Sequence, residues 1–106
     1  MVNEVTGSIS KILDTTSGET GDTQTFTQRQ QTLKSAQVQV EIGSGDTVVI
    51  EGKLESTLSF VTYKSINTDD LFTMDLPPIL RARRTTDGGS GDTQVWLQTF
   101  DNTVEN

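Results

Sequence analysis

Residues 36–53 read AQVQVEIGSGDTVVIEGK, and their reading decides the fold class. Ala36, Val38, Val40 and Ile42 alternate with Gln37, Gln39 and Glu41. An extended chain therefore has one apolar face and one polar face here, the period-two pattern of a half-buried strand. GSGD (43–46) is turn chemistry: glycine permits positive φ and aspartate bonds back to nearby backbone. TVVIEGK (47–53) resumes the extended pattern, with Val48 and Ile50 on one side. Two such runs across so short a Gly-rich link predict a β-hairpin.

Outward from that segment the chain keeps the same grammar. LSFVTYKSI (58–66) is rich in aromatic and β-branched residues and reads as a strand. NTDD punctuates it, and LFTMDL (71–76) reads as a short strand. Pro77 and Pro78 stop any helix and hold the backbone extended. ILRARRT (79–85) alternates again, with Leu80 and Ala82 inward and Arg81 and Arg83 outward. After the loop TDGGSGD, TQVWLQTF (93–100) is the last strand. Val95 and Leu97 share one face, and Trp96, Gln98 and Phe100 the other. Apolar groups on both faces imply a strand covered on both sides or meeting a partner.

The first third is less patterned. VTGSISKIL (5–13) reads as a strand, DTTSGETGDTQ (14–24) as a polar loop or hinge, and TFTQRQQTLK (25–34) as a peripheral strand or extended arm. No segment shows an apolar stripe of helical period. The sum is an all-β chain: a single small β-sandwich or flattened barrel of about six to eight antiparallel strands. It divides into a polar N-terminal arm with peripheral strands (1–32) and a sandwich domain (33–106).

Composition narrows the function. The chain has 106 residues, 31% of them hydrophobic, and a net charge of −7, room for one modest core. An acidic surface repels nucleic acid and anionic lipid, so neither is expected as a partner. There is no cysteine, which removes disulfides, thiol chemistry and thiolate metal sites. There is no histidine, the commonest general base and metal ligand. No apolar run approaches the ~18–20 residues of a membrane helix, and the N-terminus MVNEVTGSIS lacks the basic and apolar regions of a secretory signal.

Three copies of GDT (21–23, 45–47, 91–93) invite a repeat reading, but their spacings of 24 and 46 residues are unequal, whereas repeat architectures keep a fixed period. Reused turn chemistry is the expectation, each copy launching a strand. GGSGDT (88–93) is close to a calcium-binding Gly-Gly-x-Gly-x-Asp unit, yet Asp92 falls one residue short and the unit stands alone. Calcium needs ~6–8 oxygen ligands, so no metal or other cofactor is expected. Seryl and threonyl hydroxyls have no histidine base, and no Gly-x-Ser-x-Gly elbow is present. An enzyme is therefore not expected.

The residues that suggest contact with a partner are few. RARR (81–84) concentrates Arg81, Arg83 and Arg84, three of the four arginines. These either cover apolar surface with their stems or dock an acidic protein surface. Trp96, the only tryptophan, is a packing residue, an interface anchor or a platform for a sugar ring. Phe26 and Arg29 mark the arm as a further partner-binding segment.

From VQVEIGSGDTVVIEGKLES onward, the order of features resembles the small β-sandwich proteins of tailed-bacteriophage structural modules. The resemblance covers roughly residues 36–98. In those proteins Gly-Ser-x-Asp after the second strand leads to a tryptophan, and Pro-x-Ile-Arg begins a late strand. This chain has Gly52, Lys53, Leu54 and Glu55 in the first place, Phe60 where the tryptophan is usual, and Pro78, Ile79, Leu80 and Arg81 in the second. The resemblance implies a virion structural protein assembled in the host bacterial cytoplasm. Foremost is a capsid decoration or cement protein that binds the major capsid protein as a homo-oligomer, its polar arm lying along neighbouring subunits. The alternatives are a neck, tail or fibre component, a glycan-binding module that stacks sugars on Trp96, Phe60 or Tyr63, and a calcium-bound adhesion module.

Overall fold

The computed structural model describes residues 6–26 and 35–101. Among the described residues eight strands form: β1 (Thr6–Asp14), β2 (Gln24–Thr25), β3 (Ser35–Glu41), β4 (Thr47–Lys53), β5 (Val61–Ile66), β6 (Asp70–Asp75), β7 (Ile79–Thr86) and β8 (Gln94–Asp101). They make two four-stranded antiparallel sheets, ordered β1-β8-β3-β6 and β2-β7-β4-β5. No helix occurs among the described residues. The all-β sandwich expected from the alternation is the fold.

The hairpin expected at 36–53 does not form, and this is a correction. β3 pairs with β6 and β8, whereas β4 pairs with β5 and β7 in the other sheet. The link between them is an arch from sheet to sheet. Alternation fixes which side chains share a face, but not whether the next strand lies beside that face or opposite it. Here Val38 and Val40 meet Val48 and Ile50 across the core, all of them at most 1% exposed. Packing two apolar faces against each other removes both from water. Of the seven connections only β4 to β5 stays within a sheet; each of the others changes sheet.

The described part of the N-terminal third, read as a polar arm with peripheral strands, supplies an edge strand to each sheet, β1 to one and β2 to the other. β1 pairs with β8, and a register shift between Lys11 and Leu13 leaves one unmatched residue in the ladder. Such a bulge lets neighbouring residues face the same way, and Ile12 and Leu13 are both buried in the core. Residues 19–26 then run along β7: Gly21 N donates to Ala82 O (2.9 Å) and Phe26 N to Pro78 O (3.0 Å). The remainder of the expected arm, Arg29 included, lies outside the described residues, as does the Phe100 side chain.

Candidate functional site

The RARR segment divides between the two faces of β7. Leu80, Ala82 and Arg84 point inward and are buried, while Arg81 and Arg83 point outward. Arg84 is therefore no exposed docking cation. Its guanidinium bonds Asp46 Oδ2 at 3.1 Å and Asp87 Oδ2 at 3.3 Å, and also pairs with Glu19. The Glu19 carboxylate, with Asp46 and Asp87 behind it, raises the Arg84 pKa further above its ordinary value. Position i+4 from a core leucine on one strand is a core position, and a buried charge is held there only because acids surround it.

Arg81 and Arg83 converge on Glu51, which lies directly across from Arg81 in register. Arg81 Nε donates to Glu51 Oε1 (2.7 Å) and Arg83 Nη2 to Oε2 (3.0 Å). Glu51 is buried, and the two guanidiniums, Arg83 first, hold its pKa below the usual carboxylate range against the opposing effect of burial. Arg81 also lies over the Phe60 ring, 3.9 Å from its centroid, and Lys53 Nζ approaches the same ring at 4.4 Å. Phe60 clamps the segment before β5 onto the outer face of this sheet through two cation–π contacts.

The same edge of the sheet carries a groove. Gly52, Lys53, Leu54, Leu58, Val61 and Pro77 line a cavity of about 380 Å³ beside the open edge of β5, with Tyr63 at its side. Leu54 is 73% exposed, Val61 69%, Tyr63 51% and Leu58 48%. The floor is continuous with the core: Val61 lies opposite Gly52, which lies opposite the buried Leu80. Gly52 is required there, because a Cβ on it would sit 2.6 Å from Pro77 Cγ. No carboxylate lines the groove, in a chain of net charge −7. Scattered exposed apolar residues are ordinary, but a contiguous cluster marks an interaction surface.

The other expected contact residues lie elsewhere. Trp96 is half-buried on the outer face of the first sheet, beyond the core from Arg81 and Arg83. Phe26 packs against the margin of the core. The structure thus does not gather Arg81, Arg83, Trp96 and Phe26 into one site. The groove residues Leu54 and Leu58 were not singled out by the sequence reading. Leu58 was read as the start of a strand over 58–66, but β5 begins only at Val61, and both leucines fall in the turn before it.

Compared with known protein families, curated proteins and solved structures, the chain matches none. The fold is a small two-sheet β-sandwich, with an exposed apolar groove at the β5 edge.

Proposed function

We propose that the protein is a non-enzymatic virion structural protein of a tailed bacteriophage. It acts as a decoration protein that docks on the major capsid protein through the groove at Leu54, Leu58, Val61 and Tyr63. The observation that carries this reading is the contiguous apolar cluster left exposed on a chain whose core is otherwise well closed. The resemblance of residues 36–98 to phage structural sandwiches names the class of partner. The occupant is an apolar ledge of the shell protein. The carboxylate-free lining, with Lys53 at the rim, suits an apolar ledge edged by acidic groups. Arg81 and Arg83 hold the clamp rather than touch the partner, and several copies assemble around the particle because the shell repeats.

The test mixes the purified protein with capsids lacking decoration. The native protein binds at hundreds of copies per particle and raises the temperature at which the capsids disrupt. Leu54→Ser with Leu58→Ser lowers occupancy at least about tenfold, as loss of two anchor residues would, while leaving the protein's own melting temperature unchanged. Absence of bound protein on such capsids rejects the decoration role. A ring of a few copies assigns the protein to the neck or tail instead.

A further inference from the structure

The first sheet carries a second surface unrelated to the β5 edge. Two rows of its outward side chains cross all four strands. Lys11, Trp96, Gln39 and Leu71 are matched in register, as are Ile9, Gln98, Gln37 and Thr73. Ile9, Leu71, Trp96, Gln37, Gln39 and Gln98 line a shallow depression of about 200 Å³. We propose that this depression binds an uncharged glycan, with Trp96 as the stacking platform and the three glutamines as the hydroxyl-binding groups.

The chemistry of the lining selects the ligand class. A solvated sheet face in an acidic protein is expected to carry mixed charges, yet the floor here is one indole and three neutral amides. An amide donates through nitrogen and accepts through oxygen, which matches a sugar hydroxyl that does both. The flat apolar face of a sugar ring suits an indole, and the exposed Ile9 (65%) and Leu71 (62%) bound the depression on either side. A charged ligand finds no free partner in the floor. The nearest cation, Lys11, is committed: its Nζ bonds Asp14 Oδ2 at 2.9 Å and lies 5.0 Å from the Trp96 ring centroid.

The site is also held in place before any ligand arrives. Lys11, fixed by Asp14, supports the indole from the β1 side. Gln39 Nε2 donates to Glu41 Oε2 at 3.3 Å, which orients that amide and leaves its oxygen to accept. A supported indole and an oriented Gln39 amide lose little freedom on binding, so modest contacts give measurable affinity.

Trp96 is the only tryptophan, so intrinsic fluorescence reports this site alone. The experiment titrates the full chain with cello-, manno- and N-acetylglucosamine hexasaccharides. It also runs the protein through native gels containing glucomannan, hydroxyethylcellulose, dextran or, as the anionic control, alginate. The expected result is a saturable change in emission with at least one neutral oligosaccharide, and retardation in the matching gel. Trp96→Ala weakens retardation about tenfold or more, and Gln39→Ala weakens it by roughly five- to tenfold through loss of one hydrogen-bonding group. The Leu54→Ser, Leu58→Ser protein keeps full retardation, which separates this site from the docking groove. Unchanged emission and mobility across the neutral panel overturns the proposal. So does retardation that survives in both Trp96→Ala and Gln39→Ala, or binding to alginate alone.

Discussion

Asp46 and Asp92 hold the same place in two copies of SGDT, yet their surroundings differ. Asp46 is buried and takes three donors: Gly88 N at 2.7 Å, Thr93 Oγ1 at 2.7 Å and Arg84 Nη1 at 3.1 Å. The Gly88 amide and the Thr93 hydroxyl, then Arg84, hold its pKa below the usual range although burial opposes them. Thr93, the threonine of the other copy, is itself buried and accepts from Gly43 N at 2.9 Å. The two turns are therefore one structure: Ser44 N donates to Ser90 O at 3.0 Å, and the aspartate of one turn binds the threonine of the other. Asp92 stays exposed and accepts only a 3.3 Å bond from Thr15 among the described residues. Asp46→Asn turns an amide nitrogen or a neutral oxygen toward donors and leaves the buried Arg84 short of a charge. It is expected to lower the melting temperature by several degrees, roughly the scale of 1 kcal/mol or more in a domain this small. Asp92→Asn is expected to shift it by less than about 2 °C, as exposed substitutions do. Circular dichroism melts of the two variants check this, and equal shifts would mean that the paired turns are not what Asp46 stabilises.

At the scale of elements, the sequence showed strands and faces but not neighbours. The alternation of 36–42 and 79–85 identified the inward sets Ala36, Val38, Val40 and Leu80, Ala82 correctly, because a side chain's face is a local property of the pleat. The pairing of β3 with β8 joins segments far apart in sequence, and no local pattern encodes it. Ile12 and Leu13 escaped notice as core residues because a bulge breaks the alternation that would have revealed them. The groove was legible only as unexplained leucines, since exposure depends on what the rest of the chain fails to cover. The arches supply a test of the topology. A Cβ on Gly88 would lie 2.0 Å from Ser44 O, backbone of the neighbouring arch, whereas one on Gly89 meets nothing within 4 Å. Gly89 has φ of +82°, so its replacement carries only the left-handed backbone penalty. Gly88→Ala should therefore cost about 3 kcal/mol or more through a clash that neither arch can relieve without moving. Gly89→Ala should cost about 1 kcal/mol. Urea unfolding measures both, and a Gly88→Ala cost no greater than that of Gly89→Ala contradicts the side-by-side arches.

For the whole molecule, the charge balance sets the response to acid. Net charge is −7 at neutral pH with no histidine, and the isoelectric point is near 4.3. No side chain of ordinary pKa titrates between about pH 5.5 and 8, so stability is expected to be flat across that range. Below it, the falling net negative charge relieves self-repulsion, a small gain that salt suppresses. The paired acids act with the opposite sign. Asp14 is lowered to about 2, chiefly by the Thr16 hydroxyl and then by Lys11, and Asp46 and Glu51 are lowered as well. In the unfolded chain these groups titrate near pH ~4. Between that value and their folded values the unfolded state binds more protons, so protonation favours unfolding. The stability these pairs contribute is complete above about pH 5 and is lost as pH falls through the folded values, down to about 2 for Asp14. The melting temperature should therefore hold a plateau to about pH 5 and then drop steeply below pH ~4. High salt should flatten any rise near pH 5 but spare the acid limb, because Asp46 and Glu51 are buried from the ions that screen surface charge. Melts at low micromolar concentration, where association near the isoelectric point is least, read both features. A step between pH 6 and 7, or full stability retained near pH 2, would mean that the Asp46 and Glu51 networks do not carry the fold's resistance to acid.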